Sequence, residues 1–213
     1  MNPLPFCIIF LLPLTVIIGY LMGGAYNFLA VVLVFGLLPL LDLLVGQNTK
    51  NPTEEEEGSL VETRAFRFIT WACMPIQVLL VVWGAYVVTR GTLGPLELTG
   101  FVLSVGITSG VLGINVSHEL IHRVNNRLEP FLGRIMLATT CYLHWGIEHV
   151  RGHHRTVATP EDPATARKGE SLYTFWPRTV MGGFRNAYRL EADRLARQGG
   201  KTGVLGNAVH GYV

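Results

Sequence analysis

Apolar residues along this chain come in long unbroken runs, not in the alternation of a half-buried strand or the one-sided stripe of a surface helix. Four such runs cover residues 4–23, 28–45, 68–88 and 98–117, each close to the roughly 20 residues that carry a helix across a hydrocarbon core. Asp42 is the one charged residue inside them. A fifth run, 131–147, is shorter and holds Arg134 near its start, so it spans only if that side chain snorkels to the interface. The first run has no basic segment ahead of it and no convincing small-residue cleavage site behind it, and it reads as a retained helix. The pattern predicts an all-α fold: a polytopic membrane helical bundle, one domain over residues 1–213.

Composition sharpens this picture. Of 213 residues, 49% are hydrophobic and only 15% charged, a balance too apolar for an ordinary soluble domain. Residues 123–213 carry a net charge of +6, against −4 for residues 1–122. Lys50, Arg64 and Arg67 fall between the second and third runs, whereas the opposite loops hold only Arg90. Because lysine and arginine are retained on the cytoplasmic side, the expected placement is the cell inner membrane, with the N-terminus and everything after residue 117 in the cytoplasm. Cys7, Cys73 and Cys141 each lie in an apolar run without zinc-finger spacing, and read as buried free thiols of a reducing compartment. The run Glu54 to Glu57 reads as a solvated loop, and nothing in the pattern points to nucleic acid.

The chemistry lies in two histidine clusters just past apolar runs: HELIHR from His118, and EHVRGHH from Glu148. His118 and His122 are four apart on what should be the continuation of the fourth helix, so both rings leave one face. His149 and His153 repeat that spacing, and His154 is expected about 100° further round the same helix. Imidazole is the commonest protein ligand for iron, zinc and copper. The first cluster also spells H-E-x-x-H, in which Glu119 would be the general base of a zinc protease. A mononuclear zinc site needs three protein ligands, and five histidines over-supply it, which favours a two-metal cage. An inert membrane fragment with polar helix ends is the remaining alternative. Glu119 and Glu148 are assigned supporting roles beside the ligands, and His144 a hydrogen-bonded one. Asp42 is either a functional intramembrane carboxylate or a helix-end cap. His210 sits in an unpatterned tail.

HELIHR, EHVRGHH and RTVATPEDPATARKGESLY together resemble the membrane alkane 1-monooxygenases of the fatty-acid desaturase and hydroxylase superfamily. The likeness extends to Asp42, Gly46, Asn51 and Pro52 and to Glu191 to Leu195. It implies a non-haem di-iron site that uses O2 to hydroxylate the terminal carbon of an n-alkane, with electrons from rubredoxin and its reductase. A xylene monooxygenase hydroxylase is a close relative of the same superfamily. On the matching positions, His118, His122, His149, His153 and His154 are the implied iron ligands, and no catalytic residue is assigned beyond the metal site. The family pattern continues with further histidine boxes, N-Y-x-E-H-Y-G and R-H-x-x-H-H, and another membrane segment. Those do not occur before Val213, so the chain reads as the N-terminal portion of a hydroxylase.

Overall fold

The computed structural model describes residues 3–46, 53, 64–123, 126–199 and 206–210. Among the described residues four helices are long and apolar enough to cross a membrane: α1 (Leu4–Met22), α2 (Gly24–Val45), α3 (Arg64–Thr89) and α4 (Pro95–His122). They match the four long runs and extend the fourth through the first histidine pair. The Glu54 to Glu57 loop lies outside the described residues.

Small residues set how closely these helices approach. α1 turns into α2 at Gly23, whose φ of 72° is open to glycine without strain. A Cβ on Gly19 would stand 2.3 Å from the Tyr26 carbonyl oxygen, and one on Gly100 would stand 2.5 Å from the Phe28 ring. The α1–α2 hairpin therefore packs directly on the start of α4. Glu97 fastens it there, accepting from the Gly24 N–H at 2.7 Å and from its own helix cap Gly94 at 3.1 Å. Above this contact Val16, Ala30, Leu80, Val87 and Phe101 form one core cluster, with the Tyr20, Trp83 and Phe101 rings edge to face.

Residues 131–147 do not form one continuous helix. Helix α5 (Leu128–Thr139) has 12 residues and ends in a turn through Cys141, which takes a left-handed φ of 55°. At 1.5 Å per residue it reaches only about 18 Å, well short of a roughly 30 Å hydrocarbon core. The turn also corrects the reading of the thiols: Cys73 is buried and Cys7 partly so, but Cys141 is exposed. One face of α5 (Leu132, Met136) joins Cys73, Val116 and Leu120 in a second core cluster. At its first turn Glu129, fully buried, takes hydrogen bonds from Arg67 (3.1 and 3.3 Å) and the Trp71 indole (3.0 Å), with Arg123 at 3.6 Å. Burial pushes the Glu129 carboxyl up, yet these partners hold it below its ordinary value. Removing one side of such a buried pair costs about 3–5 kcal/mol, so this knot is what fixes α5 against α3 and the end of α4.

Helix α6 covers residues 145–156, and after a turn-rich stretch α7 (Leu172–Arg197) packs against it. Glu191 on α7 is buried and paired with Arg194 at 2.6 Å and with Arg151 of α6 at 3.0 Å. Asn207 closes the far end, donating to the Tyr188 carbonyl at 3.0 Å.

Candidate metal centre

His118 and His122 sit on the last α-helical turn of α4, Ser117–His122, one turn apart on one face as their spacing requires. Their Nε2 atoms are 3.2 Å apart. The second cluster departs from the α-helical expectation: His149–His153 is a π-helical turn. Hydrogen bonding from i to i+5 widens the turn, so residues five apart nearly stack instead of diverging. That is why His154 meets His149, Nε2 to Nε2 at 3.1 Å, instead of projecting away. His149 in turn reaches His122 at 3.1 Å, which joins the two helices.

Four imidazoles, from residues 118, 122, 149 and 154, thus face one another through Nε2. The spacing fits a metal: two nitrogens each about 2.1 Å from one ion and at right angles lie about 3.0 Å apart. His118, His122 and His149 all place a ring nitrogen within 4.8 Å of the others. Burial, reinforced by the neighbouring histidines, pushes the His149 pKa down to about 3. That ring is neutral at physiological pH, the state in which a metal binds it. Trp145 stacks on His149 at 4.4 Å and limits its rotation. His153 packs its ring on His149 at a centroid distance of 5.4 Å, and its Nδ1 lies 2.9 Å from Asp162 Oδ2. An imidazole whose Nδ1–H is held by a carboxylate offers Nε2 as its ligand atom.

The fatty acid desaturase profile matches residues 94–204, a stretch that holds all five histidines and Asp162. The chain belongs to the fatty acid desaturase family. Within the family, alkane 1-monooxygenase 2 of Pseudomonas aeruginosa is 42% identical over 181 residues, 83% of this chain and 47% of that protein. Alkane 1-monooxygenase 1 of the same organism is 43% identical over 176 residues, 82% of this chain and 46% of its own. Alkane 1-monooxygenase 1 of Alcanivorax borkumensis is 38% identical over 202 residues, 92% of this chain and 50% of its own length. The chain therefore spans about half the length of the curated relatives it matches.

The other residues singled out from the sequence fall into different places in this desaturase-family fold. Glu148 is buried beside the cluster and accepts from Asn186 of α7 at 3.2 Å, and burial raises its pKa. Glu119 is 53% exposed and pairs with Arg123 at 2.7 Å. A carboxylate so placed is turned to solvent and occupied, which speaks against its serving as the general base of an H-E-x-x-H protease. His144 is buried against the edges of Tyr142 and Phe184, and its Nε2 has no hydrogen-bond partner among the described residues. Burial lowers its pKa, and among the described residues it makes no ring contact with the histidine cluster. Asp42 stands exposed near the end of α2, with no hydrogen bond or ion pair to the five histidines. The side chain of His210 lies outside the described residues.

Asp162, in the loop after the second histidine cluster, is a buried anchor. It takes the His153 ring, the Thr165 hydroxyl at 2.5 Å and the Ala164 N–H at 2.9 Å. Burial acts to raise its pKa, but these hydrogen bonds together bring it below the ordinary value. Its loop is strapped to α7 by Arg178, which bonds Glu170 at 2.7 Å and the carbonyls of Pro163 and Thr165 at 3.1 and 2.9 Å. The one local signal was Asp162 two residues ahead of the Ala164 amide it caps.

Proposed function

We propose that this chain is the histidine-cage part of an integral-membrane non-haem di-iron monooxygenase that hydroxylates the terminal carbon of n-alkanes with O2. The observation that carries the reading is the meeting of imidazoles from α4 and α6 at metal-ligand spacing, on a chain 42% identical to a named alkane 1-monooxygenase. His118, His122, His149, His153 and His154 would hold the iron. When bound, the iron pair supplies the reduction of O2 that an alkane C–H bond requires. One oxygen atom enters the C–H bond and the other leaves as water, consuming two electrons and two protons. The electrons come from rubredoxin and its reductase.

The chain's own residues prepare the cage. Asp162 keeps the His153 proton on Nδ1, Trp145 holds His149 in plane, and burial keeps His149 unprotonated. An n-alkane offers no group to hydrogen-bond, so the bundle recognises it by shape and by roughly 0.8 kcal/mol per buried CH2. The lipid bilayer delivers it. The cage faces the cytoplasm, in line with the excess of basic residues after residue 122.

Metal analysis of the purified chain, paired with conversion of n-octane to 1-octanol in membranes supplied with rubredoxin, its reductase and NADH, tests the proposal. Roughly two irons per chain and terminal alcohol support it. One zinc per chain, or no metal at all, overturns it.

A further inference from the structure

Helix α5 has a second face that the bundle does not cover. Leu132, Gly133, Met136 and Leu137 point into the core, whereas Arg127, Phe131, Arg134, Ile135 and Ala138 line an open groove of about 860 Å³. The opposite wall is the Ile147, Val150 and Arg151 face of α6, and Glu191 and Arg194 of α7 close one side. Its floor is apolar and its charge strongly positive. Arg151 and Arg194 share the single carboxylate of Glu191, while the guanidinium groups of Arg127 and Arg134 have no acidic partner among the described residues. The latter two are seven residues apart, Arg127 capping α5 and Arg134 within it, hence two turns apart on the same face.

Position says what such a groove meets. Five residues separate α5 from His122, which ends the membrane-crossing α4, and α5 is too short to cross again. Its first turn, where Glu129 meets Arg67 and Arg123, lies at the level of the bilayer boundary on the histidine side, where phosphates sit next to acyl chains, and the helix then runs down beside α3 to Thr139, which bonds Gln77. Arginines over an apolar floor at that depth match a headgroup phosphate with its first methylenes below it.

We infer that the α5–α6 groove is a binding site for an acidic phospholipid, its phosphate held by Arg127 and Arg134 and an acyl chain laid along Phe131, Ile135 and Ile147. The occupant fills a site distinct from the histidine cage, so the inference stands or falls independently of the metal. Native mass spectrometry of the chain released from nanodiscs containing equal phosphatidylglycerol and phosphatidylcholine tests it. The expected result is retained phosphatidylglycerol in preference to phosphatidylcholine, weakened about fivefold for each guanidinium lost in Arg127→Gln and Arg134→Gln. Ile135→Asn should weaken retention while leaving the charge intact, and each variant's circular dichroism and metal content should match the parent chain. Equal retention of the two lipids, or a phosphatidylglycerol preference unchanged in the double arginine variant, overturns the inference. So does full competition by inorganic phosphate, which marks a bare anion site, or a dimer that carries no lipid, which marks an interface between copies.

Discussion

Replacing Asp162 by Asn tests how the histidine cage is held, because it removes a charge without removing bulk. The carboxylate accepts on both oxygens: Oδ2 from His153 Nδ1 and Thr165, Oδ1 from the Ala164 N–H. An amide must turn its NH2 toward one of these donors, so one contact becomes donor against donor whichever way it flips. Loss of a hydrogen bond to a charged group costs about 1.5–3 kcal/mol. Removing the orienting partner of a metal-bound histidine costs 10–100-fold in affinity, about 1.4–2.7 kcal/mol, so two separate routes give the same magnitude. The assay is cobalt(II) titration of the detergent-solubilised chain against a chelator, read from the visible ligand-field bands. The Asn variant should bind 10–100-fold more weakly with unchanged helical circular dichroism, and Asp162→Glu should recover part of the loss. Asn binding within a factor of about two of the parent chain would refute the role assigned to Asp162.

Three further outcomes follow from the same geometry. His149→Ala removes the ring through which the two helices meet and should abolish tight cobalt binding, whereas His144→Ala, outside the cluster, should cost less than the roughly tenfold of a lost orienting partner. A Cβ at Gly152 would stand 2.7 Å from both Asn186 Nδ2 and Glu148 Oε1, so Gly152→Ala should destabilise by about 1–3 kcal/mol in a denaturant titration; an unchanged midpoint would show that α7 can move away freely. Hydrogen bonds from Arg178 hold the Glu170 carboxyl down at about 2, below its ordinary 4.5. A depressed acid stabilises the folded loop above the unfolded pKa and loses that contribution as pH falls through the folded one. Pepsin cleavage within residues 157–171 should therefore rise between pH 4.5 and about 2, and Arg178→Gln should be cut already at the upper end of that window.

The membrane helices were legible because a bilayer constrains composition locally: a spanning run must be predominantly apolar and nearly free of charge, and Asp42 is the one charged residue within the four runs. The break within the fifth run was not legible. Hydropathy registers apolar content but not the turn at Thr140 and Cys141, where no glycine or proline marks the break. Asp162 was illegible for a different reason. Its importance comes from burial by α7 and from the Arg178 strap, both contributed by residues beyond its own loop.

The histidine spacing shows most clearly where local reasoning stops. On α4 the pair at 118 and 122 lies in a true α-helical turn, and a four-residue spacing was enough to place both rings together. On α6 the same spacing rule would join His149 to His153 and send His154 away. The π-helical turn reverses that outcome, bringing His149 and His154 nitrogen to nitrogen and leaving His153 to be oriented by Asp162. A π turn forfeits regular α-helical hydrogen bonding, so it persists where side chains beyond the helix hold it. Here Gly152 supplies the clearance: Asn186, Glu148 and Leu190 all press on the space a side chain would fill. The register of the second cluster is thus written partly on α7, some thirty residues downstream, and partly in the one glycine that lets α7 approach.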